Sequence, residues 1–270
     1  MTLVQPSSSF GTSSMSHGEQ YLRSVLARES VDMGPLSPIR AIQAQLEPTL
    51  TAWAGNNLNW IAPSGSFAKG TAVRTGTDLD LFISLSPNTP ETLTAIYHKL
   101  FRQMAGAHFI PRRKNVSIGI KYRGLEVDLV PGRRQNLLTT NHSLFVKRKG
   151  TWKMTNVATH VAVVRGSNLL DEIRLFKIWR DQKKLDFPSF YLELTLIAAF
   201  GGAPWLYPSI EDRIQRALAY IKDNLHTARV VDPANSNNIL SEDLTITEKG
   251  RVRLAATKAF ASKSWTDFVV

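Results

Sequence analysis

The segment Asp78-Leu79-Asp80-Leu81-Phe82-Ile83 constrains this chain more than any other. Side chains alternate faces along a strand, so Asp78 and Asp80 share one face while Leu79, Leu81 and Ile83 point into a core. Two aligned carboxylates repel each other and need a cation. Oxygen ligands of this kind suit Mg²⁺, which also binds substrate phosphates. An isolated Asp-x-Asp is more often a pair of solvated strand residues, so the surrounding pattern has to decide. Residues 125–130 form a second strand, with Leu125, Val127 and Leu129 on its apolar face and Asp128 on the other. Paired beside the first strand, it adds a third carboxylate. Three carboxylates can hold two metal ions about 3.5–4 Å apart, and Asp128 can also serve as a general base.

Upstream, a strand over 58–61 runs into Pro63-Ser64-Gly65-Ser66-Phe67-Ala68-Lys69-Gly70-Thr71. Glycine lets a backbone approach a phosphate closely, with its amides aimed at the anion. The Ser66 hydroxyl can donate to a terminal phosphate, and Lys69 adds charge. Gly-Ser alone is a weak signal, but here Ser66 precedes Asp78 by twelve positions, across a connection containing Gly70, Gly76 and Thr77. No Gly-Lys-Ser/Thr follows, so this is not a P-loop.

The elements around these segments complete the outline. A first helix is expected over 17–29. Ser37 and Pro38 open a second, with Ile39, Ile42, Leu46, Leu50 and Trp53 on one face and Pro48 bending it. Thr89-Pro90 opens a third, bearing Leu93, Ile96, Tyr97, Leu100 and Phe101. Residues 116–122 alternate as a strand, and Arg123-Gly124 turns it back into 125–130. Beyond about 165 the pattern is helical. Asn168 and Asp171 cap one helix, Pro188 opens an apolar one over 189–200, Ser209 and Asp212 cap another, and the last spans 247–265. The expected class is α+β, with a mixed sheet followed by helices.

Composition narrows the function. The 33 Lys+Arg against 22 Asp+Glu leave a net charge of +11, which suits a polyanionic partner such as triphosphate or RNA on a basic surface. The short basic clusters include Arg112-Arg113-Lys114 and Lys147-Arg148-Lys149. With no cysteine there is no disulfide and no cysteine-ligated zinc, which fits a cytoplasmic location. No stretch is long and apolar enough to span a membrane, and no secretory signal pattern is present.

Taken in order, Gly65-Ser66, Asp78-x-Asp80 and Asp128 make residues 65–131 resemble the polymerase-β-like nucleotidyltransferases. The resemblance is strongest to the cGAS/DncV-like branch of CBASS antiphage defence and to the 2′-5′-oligoadenylate synthetases. It implies a two-lobed fold: residues 1–17 a flexible N-terminus, 18–165 a mixed-sheet catalytic lobe with a bracing helix, and 166–270 a helical lobe, with the active site in the cleft between the lobes. It implies two Mg²⁺ or Mn²⁺ ions held by Asp78, Asp80 and Asp128. Gly65, Ser66 and Lys69 would hold the donor nucleotide, as would Lys177, in Ile173-Arg174-Leu175-Phe176-Lys177-Ile178-Trp179, and Ser189. Phe190 or Tyr191 would stack on a base. The relatives often have Tyr where Phe190 stands, so a hydroxyl contact is lost while stacking remains. Asp232-Pro233 is read as a packing turn and His160 as structural. Glu193 is read as a buried partner for an arginine or a backbone amide. The implied activity joins nucleoside triphosphates, ATP first among them, into a short cyclic oligonucleotide sensed by a downstream effector. The competing readings are a template-independent RNA tailing enzyme and a non-catalytic RNA- or nucleotide-binding protein on the same scaffold.

Overall fold

The computed structural model describes residues 15–76 and 78–270. Residues 1–14 of the expected N-terminal tail, and Thr77 of the connection, lie outside the described residues.

Two apolar cores organise the chain. The first sits under a seven-stranded mixed sheet. Its strands are β1 (Leu58–Pro63), β2 (Leu79–Leu85), β3 (Arg112–Arg113), β4 (Ile118–Tyr122), β5 (Leu125–Arg134), β6 (His142–Val146) and β7 (Thr151–Thr155). The order is β1-β2-β5-β4-β3, and β6 joins β5 to β7. Among the described residues, only the β2–β5 pair of this sheet is parallel. Helices α2 (Pro38–Ala54) and α4 (Leu93–Gly106) cover one face. Ile39, Ile42, Leu46 and Leu50 of α2 and Ile96, Tyr97 and Leu100 of α4 pack there on Leu79, Leu81, Ile83, Val127 and Leu129. The alternation that buries Leu79 and Leu81 leaves Asp80 and Asp128 on the opposite face. Truncating Leu81, which is fully buried, to alanine would cost about 2–5 kcal/mol.

The second core is helical. It is built from α1 (His17–Arg28), α6 (Leu170–Gln182), α7 (Ser189–Phe200), α8 (Ile210–Asn224), α9 (Ile246–Ala261) and α10 (Trp265–Phe268). Leu22, Val25 and Leu26 of α1 belong to this core rather than to the sheet core, although α1 precedes the catalytic strands. Between the cores lie α5 (Val157–Arg165) and the hairpin β8 (Val231–Asp232) and β9 (Asn235–Ile239). The short helix α3 (Gly65–Lys69) joins β1 towards β2.

Several expectations need correction. Asn168 does not cap α6: it sits at φ 57°, whereas a capping residue needs extended backbone, and α6 starts at Leu170 with no side-chain cap. Thr92, not Thr89, caps α4, its hydroxyl accepting from the Ala95 amide. The last expected helix is broken at Ser262 and resumes as α10. The β6–β7 and β8–β9 hairpins and α5 had no sequence reading; in the hairpins, polar residues such as His142, Lys153 and Asn237 mask the apolar alternation.

Candidate active site

Strands β2 and β5 run parallel with Asp80 opposite Asp128, so the two carboxylates stand side by side on the face away from the sheet core. Asp78 lies just before β2 and is more exposed. The three aspartates, spread over fifty positions of the chain, therefore stand at one end of one strand pair. Burial first, and then the Asp128 charge, push the Asp80 pKa up to about 6. A carboxyl that resists ionisation beside two others is a site that gains from a cation.

The glycine turn lies directly over this pair. Gly65 adopts φ 54°, and a Cβ there would fall 1.8 Å from Asp80 Oδ2, so only glycine lets the loop close on the carboxylate. The Ser64 amide donates to the Asp80 carbonyl at 2.7 Å, continuing the sheet into the loop. Phe67 is buried in the sheet core and anchors α3, leaving Ser66 partly exposed on the turn.

A cavity of about 230 Å³ adjoins the pair, lined among others by Gly65, Lys69, Asp80, Lys153, His160 and Phe190. Sheet residues form one wall, and His160 of α5 with Phe190 of α7 form the other. The Phe190 ring is 4.4 Å from His160, centroid to centroid, and 4.2 Å from Lys69 Nζ. His160 Nε2 lies 2.7 Å from Asp232 Oδ1, and Asp232 also accepts from the Asn238 side chain and the Ala234 amide. Burial opposes ionisation of Asp232, but these partners outweigh it and hold its pKa below the usual carboxylate range. Asp232-Pro233 is thus a packing turn that fixes His160. A larger groove of about 730 Å³ opens beside the cavity, and Lys153 borders both.

Lys69, which closes α3 and lines the cavity, and Lys177, behind the turn, meet at one buried carboxylate. Lys69 Nζ lies 2.7 Å from Glu193 Oε2, and Lys177 Nζ lies 2.6 Å from Glu193 Oε1. Thr71 donates to Glu193 and accepts from Lys177. Lys177 is 3% exposed and Glu193 is fully buried. Burial alone would raise the Glu193 pKa, but Lys177 and Lys69 outweigh it and hold the carboxylate ionised. Glu193 is buried as expected, but its partners are two lysines from different lobes, not an arginine or an amide. Ser189 opens α7, is exposed, and accepts from Arg180 Nη1 at 2.8 Å. Tyr191 requires a correction: its ring is wholly buried in the helical core, 5.0 Å from Phe187, so it does not face the cavity and cannot stack on a base there. Phe190, one position earlier on α7, does face it.

One further cation was not expected at the site. Lys114 Nζ lies 2.7 Å from Asp128 Oδ1 and 3.5 Å from Asp78 Oδ2. Burial works against its charge, but Asp128 and then Asp78 outweigh it and raise its pKa. Its basic cluster was visible in the sequence, but not the hairpin that aims it. Among the described residues, no three acidic or imidazole side chains are gathered closely enough to coordinate one ion. The donors nonetheless suit one. Asp128 Oδ1 is buried without a well-formed hydrogen bond, Asp80 is strained by burial beside Asp128, and all the donors are carboxylate oxygens.

No protein-family model matches the chain. It is 26% identical over 176 residues to the cyclic AMP-AMP-AMP synthase of Escherichia coli strain MS 115-1. That match covers 58% of this chain and about half, 55%, of the relative's length. Among solved structures, it superposes on E. coli MS115-1 CdnC with ATP at a TM-score of 0.73. The two are 19% identical, over 93% of this chain and 95% of that one. The Bradyrhizobium diazoefficiens CD-NTase CdnG in complex with GTP gives 0.72 at 12% identity, over 92% and 94%. The fold is the two-lobed polymerase-β-like nucleotidyltransferase fold. Within it, the resemblance to the cGAS/DncV-like nucleotidyltransferases, or CD-NTases, read from residues 65–131 is borne out.

Proposed function

We propose that this chain joins ribonucleoside triphosphates into a short cyclic oligonucleotide, releasing pyrophosphate, and that the product is an antiphage signal read by a downstream effector. The observation that carries the reading is the Asp80–Asp128 register pair closed over by Gly65. The donor is ATP first, in line with the similarity to the E. coli cyclic AMP-AMP-AMP synthase. The donor phosphates lie against the backbone of Gly65 and the hydroxyls of Ser66 and Ser189. Lys69 and Lys177 lock the turn to the helical lobe through Glu193. Phe190 stacks on a base at the cavity wall, with His160 and Asp232 holding the ring in place.

Mg²⁺ or Mn²⁺, two ions per site, bound by Asp78, Asp80 and Asp128 would supply the charge that acidifies the attacking ribose hydroxyl and steadies the leaving pyrophosphate. Asp128 also takes the proton of that hydroxyl as general base. The attacking oxygen forms a bond to the α-phosphorus as the bond to pyrophosphate breaks.

The test is mass spectrometry of products from all four ribonucleotides with Mg²⁺ or Mn²⁺, with and without RNA. Small products that resist alkaline phosphatase support the reading. Lengthened RNA with no small product would establish tailing instead, and products from a D78N/D80N double variant would remove the site assignment.

A further inference from the structure

Lys114 is built into the carboxylate site rather than resting against it. Its amide donates to the Ser117 carbonyl at 3.0 Å, and its own carbonyl accepts from Tyr97 Oη at 2.6 Å. The Tyr97 side chain is itself packed in the sheet core, so the backbone of Lys114 is fixed at both ends of the residue. The stem then crosses Gly119, the β4 register partner of Asp128. A Cβ at position 119 would lie 3.0 Å from Lys114 Cε and 3.2 Å from Asp128 Oδ1. A larger residue there would crowd the path by which the ammonium reaches the carboxylate.

We infer that Lys114 is a tethered counter-ion: its ammonium bridges Asp78 and Asp128 in the metal-free protein and withdraws when divalent ions enter. Three observations carry this. The ammonium is within ion-pair reach of two of the three carboxylates, Asp78 just before β2 and Asp128 within β5. Asp128 Oδ1 is attracted by charge without a well-aligned hydrogen bond, whereas its Oδ2 accepts from Ser117 Oγ. A metal can therefore take over Oδ1 while the serine keeps the carboxylate oriented. The Lys114 side chain is 36% exposed, so it has solvent to withdraw into, unlike Lys177, whose side chain is 3% exposed.

The chemistry explains why such a device is useful. Three carboxylates around a buried Asp80 repel one another when no cation is present. A monovalent cation on a flexible stem relieves that repulsion without coordinating. It competes weakly with a divalent ion and is displaced without loss of the fold. The cost is a lower affinity for free metal.

The inference rests on the metal-site reading of the three aspartates, and the experiment separates the two. Mn²⁺ binding to the nucleotide-free protein is measured by electron paramagnetic resonance of the free ion. The proteins compared are wild type, K114M, K114Q and D80N, with K121M as a control on the exposed face of the same hairpin. K114M and K114Q are expected to bind Mn²⁺ about tenfold more tightly than wild type, since one positive charge beside the ligands has gone. K121M should match wild type, and D80N should lose binding. In EDTA the Lys114 variants should melt below wild type, and Mn²⁺ should raise their Tm by more than it raises that of wild type. Equal or weaker Mn²⁺ binding in both Lys114 variants overturns the counter-ion role and leaves the metal site standing. No saturable Mn²⁺ binding in any of the proteins overturns both.

Discussion

Two clusters of opposite charge flank the glycine turn, and they behave differently. At the mouth of β2 and β5, Asp78, Asp80 and Asp128 face one half-exposed lysine, and negative charge is in excess. Behind the glycine turn, Glu193 faces Lys69 and Lys177, all three buried, with Thr71 completing the hydrogen bonds. The first cluster is incomplete without a further cation and opens on a cavity. The second is closed, and it fastens the catalytic lobe to the helical lobe. The same residue types thus serve chemistry in one place and cohesion in the other, and exposure together with the ratio of charges decides which.

Asp80→Asn should break that comparison most sharply. Product formation is expected to fall by at least about 10³-fold, since an active-site charge is lost. The fold should not weaken. The Asp80 carboxyl titrates near 6, above its ordinary 3.8, so in the metal-free protein its ionisation opposes folding. That opposition is absent below pH 3.8 and complete above about 6, so removing the charge leaves the variant at least as stable at pH 7. A D80N protein that melts well below wild type in EDTA would mean that Asp80 belongs with the structural cluster.

Glu193→Gln is the mirror experiment. It leaves two buried ammonium groups facing a neutral amide, and breaking a buried pair in this way costs about 3–5 kcal/mol. The pH dependence has a definite sign. Glu193 is held below its ordinary 4.5, so the stability it contributes is complete above that value. It is lost as pH falls through the lower, folded-state value. Chemical denaturation from pH 8 to 4 should therefore give a constant gap between wild type and E193Q down to about pH 4.5, and a narrowing gap below it. A gap that widened on acidification would contradict the ion-pair account.

Gly65→Ala probes the contact between loop and carboxylate. The added methyl would sit 1.8 Å from Asp80 Oδ2 and at a positive φ, so either the turn or the carboxylate must move. Backbone strain of about 1–2 kcal/mol and a displacement of order 1 Å are expected, with turnover down by about 10²-fold. A circular dichroism spectrum like that of wild type, with lost turnover, would keep the effect local. An alanine variant with full turnover would show that the turn need not close on Asp80.

How much of this was legible beforehand depends on whether a residue's role is local. Asp78, Asp80 and Asp128 were readable because strand alternation fixes which way each side chain points, and parallel register then brings Asp80 to Asp128. Gly65 was readable because a turn tight against a strand needs glycine. The motifs point Lys69 and Lys177 towards phosphate, but nothing local reveals Glu193, more than a hundred positions beyond Lys69, as their shared partner. Lys114 was visible only as part of a basic cluster, since its role depends on Gly119 and Tyr97 clearing and aiming its path. The β6–β7 and β8–β9 hairpins went unread because polar residues such as His142 in β6, Lys153 in β7 and Asn237 in β9 mask the apolar alternation, although β6 buries every second residue.

The smallest effect tests how α7 divides its aromatics between the two kinds of environment. Phe190 and Tyr191 are adjacent, about 100° apart around the helix, so one can face the cavity while the other enters the core. Tyr191 Oη is buried without a hydrogen-bond partner among the described residues, and burial pushes its pKa up to about 12. Removing that hydroxyl relieves an unsatisfied polar group, so Tyr191→Phe should stabilise the protein by about 1 kcal/mol. Catalysis and KM for ATP should not change. Phe190→Ala should do the reverse, leaving the helical core in place and raising KM by about tenfold through loss of base stacking. A Y191F variant with altered KM would return Tyr191 to the nucleotide and reverse the assignment of the two rings.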